Sequence, residues 1–580
     1  MGPKRGAGMG CPARILLGMA CGFLWLLPKA GHAINTTYYV SSTGGKDAQS
    51  GTRPDLAWQT LNKVNAMTFE AGDRILFKAG DSWTGQLKLH GSGVKGSPIV
   101  IDSFGIGDLP AVDGNGVTGP SGGNPQGVVH FENVQYWEVS HLDLTNKYGT
   151  ETWSCGVLAN NSGSRGSHIY TKNCVIHEIT IGGAAGAGAA EKKLGGIYYN
   201  GAFDDILIEG NVVSYAGRTG ISTGSGDPSR ITGLVIRNNS VSYSAGDAIV
   251  LRGALGAKVE HNVVHHCGYG KNGTQTEWSA GIWGGWRTRD AVYQYNEAYN
   301  HFYPKGDGEG YDIDTYSYRT IFQYNYSHDN EGGFMLTMGG DTDSSMMRYN
   351  VSLNEVVGDF RGGKDIWVYN NVWARTDGIT SALHNRYKVN ATYVYNNIFY
   401  NPAGSVYSIE GAKEHDYNLF YPSGPAEPHG IQMDPLFVNP PSKAPLGRMN
   451  ITGLKLKPNS PAIDKGKEIP GNGGLDYWGN KVPNGKPDIG AHEFYDGTGD
   501  PIRSTFRSPG FLPATFTSMA DLRAYLDAAD QTLSIGVYDL RGVPLFTGTA
   551  GNFKQWRHRL EGRGALRSTG MRVIRISPTR

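Results

Sequence analysis

The chain has 580 residues, 84 of them glycine, a net charge of +1 and 11% aromatic residues. Near-neutral charge argues against nucleic acid as the main partner. Gly at about twice average usage, with no collagen period and many aromatics, excludes disorder and fits a fold with several tight turns per unit.

The N-terminus reads as an export signal. Lys4, Arg5 and Arg14 form a basic start, residues 15–27 an apolar run too short to span a bilayer, and Ala30-Gly-His-Ala33 a small-residue cleavage site. Residues 1–33 are therefore expected to be removed, and the mature chain to be secreted or held at the cell surface with no membrane span. Cys155, Cys174 and Cys267 remain, an odd and scattered set that fits buried thiols better than a disulfide framework or a zinc site.

Residues 205–400 repeat one phrase. It runs Asp205-Ile-Leu-Ile-Glu-Gly-Asn211, Gly233-Leu-Val-Ile-Arg-Asn-Asn239, Ala257-Lys-Val-Glu-His-Asn262, Ala291-Val-Tyr-Gln-Tyr-Asn296, and on to Asn325, Asn350, Asn371 and Asn397. Each phrase is a short alternating strand ending in Asn, at irregular spacings typical of stacked coils. One coil cannot bury its own apolar edge, whereas a stack can. Asn tolerates left-handed backbone at a turn, and its amide can bond the Asn of the next coil. The pattern predicts an all-β parallel β-helix over 34–495, a flat rigid face suited to an extended polymer.

The opening, Tyr38-Tyr-Val-Ser-Ser-Thr-Gly-Gly-Lys-Asp47 and Ala71-Gly-Asp-Arg-Ile-Leu-Phe-Lys-Ala-Gly-Asp81, resembles that of secreted β-helix proteins of the pectate-lyase-like superfamily. So does the closing segment, Ser460-Pro-Ala-Ile-Asp464, Asp476-Tyr-Trp-Gly-Asn480 and Pro487-Asp-Ile-Gly-Ala-His-Glu493. The resemblance implies a right-handed coil and a carbohydrate ligand, but not a reaction, because this fold hosts many. Residues 496–512 read as a linker. Beyond it, the strand–turn–strand Leu533-Ser-Ile-Gly-Val-Tyr-Asp-Leu-Arg-Gly-Val-Pro-Leu-Phe546 and the late strand Gly570-Met-Arg-Val-Ile-Arg-Ile576 resemble a type IX secretion sorting domain. That resemblance implies a small β-sandwich over 513–580, a Gram-negative source and contact with secretion machinery. A small carbohydrate-binding module is the alternative.

In the second strand of each coil, Leu251, Ile282, Ile313, Leu336, Phe360, Leu383 and Ile409 are set inward. Arg252, Trp283, Asp312, Asp314, Met335, Thr337, Asp359, Arg361, His384 and Glu410 are then expected to point out as a polar stripe. Trp278, Trp283 and Trp286 lie in one long coil insertion and suit sugar stacking, with Trp283 as the platform. The sharpest motif is Gly306-Asp-Gly-Glu-Gly-Tyr-Asp-Ile-Asp314, followed by His328-Asp-Asn-Glu331. Glycoside hydrolysis needs one protonated and one ionised carboxyl. Asp312 and Asp314 stand about 6.6 Å apart along a strand, and Asp312 and Asp359 about 9.5 Å apart across two coils. Glu331 is the alternate partner. Arg252, Arg361, His384 and Glu410 are expected substrate contacts, and no cofactor is required.

A lyase reading instead uses Lys305, Arg361, Lys364 or Arg386 as base or clamp. Asp307 and Glu309, with Asp312 and Asp314, would then hold Ca²⁺. A third reading is a non-catalytic glycan-binding adhesin, in which the acidic corners are turn formers. Hydrolysis of a polysaccharide or oligosaccharide by a monomeric extracellular enzyme is the reading best supported by the residues.

Overall fold

The computed structural model describes residues 35–120, 123–147, 153–179, 191–224, 227, 231–269, 278–302, 307–379, 392–404, 409, 411–483 and 485–496, and the backbone of three later strands. The described residues form one sheet of 23 strands and another of 13, and every named pairing in both is parallel. The fold is a parallel β-helix, as the repeat predicts, and right-handed, as the resemblance implies. Near the C-terminus, Leu533–Asp539 pairs antiparallel with both Pro544–Thr549 and Met571–Pro578. These are the expected strands.

The Asn of each phrase bonds the Asn of the next coil, as the repeat implies. Asn296 donates its backbone N–H and its Nδ2 to Asn325 Oδ1, each at 3.0 Å. Asn325 does the same to Asn350, and the pattern runs from Asn211 to Asn397. It continues to Asn418, which the phrase search missed, and ends on the Glu427 carboxylate, which accepts the backbone N–H of Asn418 at 2.9 Å and its Nδ2 at 2.8 Å. A carboxylate is a sensible last member, because it accepts and has nothing to pass on. The left-handed residue is not the ladder Asn but the one before it, such as Asn238, Tyr295, Tyr324 or Asn370. Tyr is an unusual choice there. Ring stacking, 5.1 Å between the centroids of Tyr295 and Tyr324, accompanies the strained backbone.

A shorter ladder turns the next corner. His301 N–H donates to Asn330 Oδ1 at 3.0 Å, and Asn330 donates its N–H and Nδ2 to Glu355 Oε2 at 3.1 and 2.9 Å. Ser352 caps the other carboxyl oxygen at 2.8 Å. Burial pushes the Glu355 carboxyl up to about 7, against the hydrogen bonds of Ser327, Ser352 and Asn330. A folded pKa above the unfolded one means that the folded state binds the extra proton. The associated stability is complete below about pH 4.5 and is lost as pH rises through 7. Glu355→Gln is therefore expected to stabilise the fold by up to about 3 kcal/mol at pH 8 and hardly at all at pH 5. Thermal melts at the two pH values check this, and an equal shift at both would contradict it.

Side chains alternate as expected in most coils. Ile249, Ile282, Tyr311, Ile313 and Phe360 fill the interior with at most 2% exposure. Tyr293 and Phe322 stack inside at 4.3 Å. One coil departs from the assignment. Asp312 pairs with Leu336, and Ile313 with Thr337, so Leu336 faces outward and Met335 and Thr337 point in. The run Phe334-Met335-Leu336 is apolar throughout, so hydrophobicity alone could not choose its parity. Cys155, Cys174 and Cys267 are free and buried, as expected. Among the described residues no helix is long and apolar enough to cross a membrane.

Candidate active site

Parallel register stacks the second strands into columns. Val250, Trp283, Asp312, Leu336 and Asp359 occupy one column. Two residues along, Arg252 pairs with Gly285, and continuing the register brings Asp314 beside Gly285, where a Cβ would lie 2.8 Å from that of Asp314. A cleft of about 380 Å³ opens over these columns. Its acidic and basic side is Lys192, Asp247, Asp307, Asp312, Asp314 and Arg361, and its apolar side includes Trp278, Leu336 and Met338.

The carboxyls sit in different environments. Asp312 is buried, with one oxygen lacking any hydrogen-bond partner among the described residues. Burial, followed by the like charges of Asp314, Asp307 and Glu309, holds its pKa well above the carboxylate range. Asp307 is pushed up to about 6 by burial, opposed by Arg361 and Lys192. Burial also raises Asp314, while the Thr315 backbone N–H at 2.6 Å and the Lys192 charge pull it back. Asp247 goes the other way. Burial alone would raise it, but Lys192 at 3.0 Å, Arg218 at 2.8 Å and the Trp283 indole N–H at 2.9 Å bring it down to about 2. Carboxyls driven apart in one cleft are the physical signature of an acid and a charged partner.

Several expected positions are corrected. Trp283 is only 1% exposed, pinned by Asp247 with the Lys192 ammonium 4.4 Å from its ring centroid, so it is a wall and not an open platform. The exposed ring is Trp278, 46% exposed, with the Arg361 guanidinium 5.9 Å from its centroid. Arg252 is buried against the Trp286 ring at 4.7 Å. Asp359 is fully buried and binds Arg361 at 3.0 Å, behind the cleft surface. Glu331 is exposed at a corner, is not among the residues that line the cleft, and acts electrostatically on Tyr269. Asp312 does not point freely outward, because its neighbours cover it. Ile313 lies inside, so the register itself stands.

Asp307 joins Arg361 at 3.3 Å, and Glu309 is fully buried. Among the described residues no group of three or more His, Cys, Asp or Glu is placed to hold a metal ion. Lys364 is exposed and pairs with Asp343, away from the cleft acids. His384, Glu410, Lys305 and Arg386 lie outside the described residues. His265 and His266 stack with Tyr299 and Tyr243 elsewhere in the fold. Sequence reasoning missed Lys192, Arg218 and Asp247. The available signal was Asp247, which leads directly into the strand Ile249–Arg252 that carries an expected contact. Lys192 and Arg218 reach the site only through the coil stacking.

No family model matches the chain. A lacto-N-biosidase of Bifidobacterium longum subsp. longum is 27% identical over 589 residues, covering 79% of this chain and 36% of that protein. The chain thus spans about a third of the length of this curated relative. The crystal structure of GH136 lacto-N-biosidase from Eubacterium ramulus aligns with a TM-score of 0.52 and 22% identity, over 66% of this chain and 68% of that one. Pectate lyase Pel9A aligns over 80% of this chain and 98% of its own at a TM-score of 0.40 and 14% identity. The Eubacterium likeness is one of fold.

Proposed function

We propose that this chain is a glycoside hydrolase acting on a glycan through Asp307 and Asp314, with Asp312 between them. The observation that carries the reading is three aspartates in one cleft, all raised, beside an ionised Asp247. Asp307 and Asp314 are partly exposed to the cleft, whereas Asp312 is covered. Asp307, near 6, holds a proton in mildly acid solution and can give it to the leaving oxygen. Asp314, eased toward ionisation by Thr315 and Lys192, supplies the negative charge that an oxocarbenium-like transition state needs. Burial and the charges of Asp314, Asp307 and Glu309 favour the neutral form of Asp312, which avoids a further buried charge. Similarity to a lacto-N-biosidase supports hydrolysis over elimination and suggests a lacto-N-biose-type unit as the first substrate to try.

The test is the purified full chain on a panel of oligosaccharides and p-nitrophenyl glycosides, p-nitrophenyl lacto-N-bioside included. Reducing ends are expected without ultraviolet absorbance from an unsaturated uronate, at rates unchanged by chelator. Rising absorbance would overturn the hydrolase reading. Trp278→Ala is expected to raise KM by about tenfold with kcat little changed, since stacking on an exposed ring binds substrate and transition state alike.

The basic and apolar leader supports export, and the sequence after residue 512 supports a sorting role through type IX machinery in a Gram-negative cell. On this reading the enzyme works outside the cell, as a monomer.

A further inference from the structure

The cleft holds a charge arrangement that the hydrolysis scheme does not explain. Arg218 and Lys192 both bind the single Asp247 carboxylate, through the same oxygen, at 2.8 and 3.0 Å. Arg218 is fully buried, whereas the Lys192 side chain is 14% exposed and lines the cleft. The other Asp247 oxygen accepts the Trp283 indole N–H at 2.9 Å and the Ala280 N–H at 3.1 Å. Lys192 in turn sits over the Trp283 ring. Two cations on one anion leave one positive charge over; burial lowers the Lys192 pKa, and the Asp247 carboxylate raises it in return. Trp283 is the strand neighbour of Asp312.

We propose that Lys192 is a positioning residue: it clamps Trp283 against Asp247 and applies the surplus positive charge of the Arg218–Asp247–Lys192 group to Asp314, keeping that carboxylate ionised for the reaction. The rest of the surroundings are consistent. Asp312 on the same strand, Asp307 and Asp247 are anions or potential anions that oppose ionisation of Asp314. The flanking strands Ile282–Gly285 and Gly333–Thr337 carry no charged residue. Arg361 is tied to Asp359 and Asp307, and Arg252 is packed on Trp286. Lys192 is thus the cation placed to favour the Asp314 anion, and the charge of Lys192 opposes proton binding at Asp307, Asp312 and Asp314 alike. The catalytic consequence rests on the glycosidase reading, but the electrostatic claim does not.

The experiment is carbodiimide labelling of carboxyls in the full-length protein across pH, with peptide mass spectrometry giving the labelling midpoint of Asp314. Lys192→Met is expected to raise that midpoint by about one pH unit or more, and Lys192→Arg to keep it. Asp247→Asn, which removes an anion and frees the cation, is expected to lower it. An unchanged midpoint in Lys192→Met overturns the proposal. So does an equal rise in the Met and Arg variants, which would trace the effect to packing. Should the wild-type chain hydrolyse no glycoside, the functional reading fails while these midpoints still decide the role of Lys192. Where turnover is measurable, the acid limb of kcat/KM is expected to follow the Asp314 midpoint, with KM nearly constant.

Discussion

Asp307→Asn and Asp314→Asn are each expected to lower kcat by about 10²–10⁴-fold while the melting temperature holds or rises. Asn keeps the shape and much of the hydrogen bonding of Asp, and removes a carboxyl whose burial already penalises its charge. The two losses should differ in pH dependence. Wild-type kcat/KM should fall as pH rises through about 6, where Asp307 gives up its proton. The residual activity of Asp307→Asn should lack that limb, and that of Asp314→Asn should retain it. Steady-state kinetics between pH 4 and 9 would show this. Full activity in either variant would remove that residue from the mechanism. Asp312→Asn is a useful third case. Burial and the neighbouring like charges favour its neutral form, so the amide should be tolerated far better than at the other two positions.

Asn325→Ala is expected to destabilise the β-helix by about 3–5 kcal/mol. The side chain accepts two hydrogen bonds from Asn296, and its Nδ2 donates to Asn350 at 3.1 Å and to the Tyr293 carbonyl at 2.9 Å. All of these groups are buried, and truncation leaves donors and acceptors without water to replace the lost partner. Denaturant unfolding should show the loss. Asp290→Ala, which removes an exposed ion pair with Arg319, should cost under about 1 kcal/mol in the same assay. Similar losses in both variants would mean that the ladder is not the main lateral restraint.

The β-helix could be read from the sequence because its determinants are local and repeated. The terminal Asn of each phrase marks a coil, and the alternation in Gly310-Tyr-Asp-Ile-Asp314 gives the parity of that strand correctly. Parity failed at Leu336, where three apolar residues in a row offer no contrast. The site was only half legible. Asp307, Asp312 and Asp314 share one short motif and were found together, although Asp307 was cast as a calcium ligand because a bare Asp-x-Glu spacing says nothing of the Arg361 that meets it. Lys192 and Arg218 precede the motif by coils of irregular length, so no spacing rule links them to it. Trp283 was misjudged for a related reason. Its exposure depends on Asp247 and Lys192, which arrive from other coils to pin and cover it.

The Asn ladder has a consequence for how such a chain can change length. Every interior rung receives from one neighbour and gives to the next in the same way, so its upper and lower ends match. A coil copied in frame between two rungs would find both of its neighbours already compatible. The rungs themselves therefore do not forbid duplication or loss of a whole coil; the cleft does. Within residues 192–361 the same event would shift Lys192, Asp247, Asp312 and Arg361 relative to one another along the stack and dismantle the cleft. Past Asn418 the ladder meets Glu427, which can end a stack but cannot relay it. Growth is thus blocked by the cleft within the stack and by Glu427 at its C-terminal end.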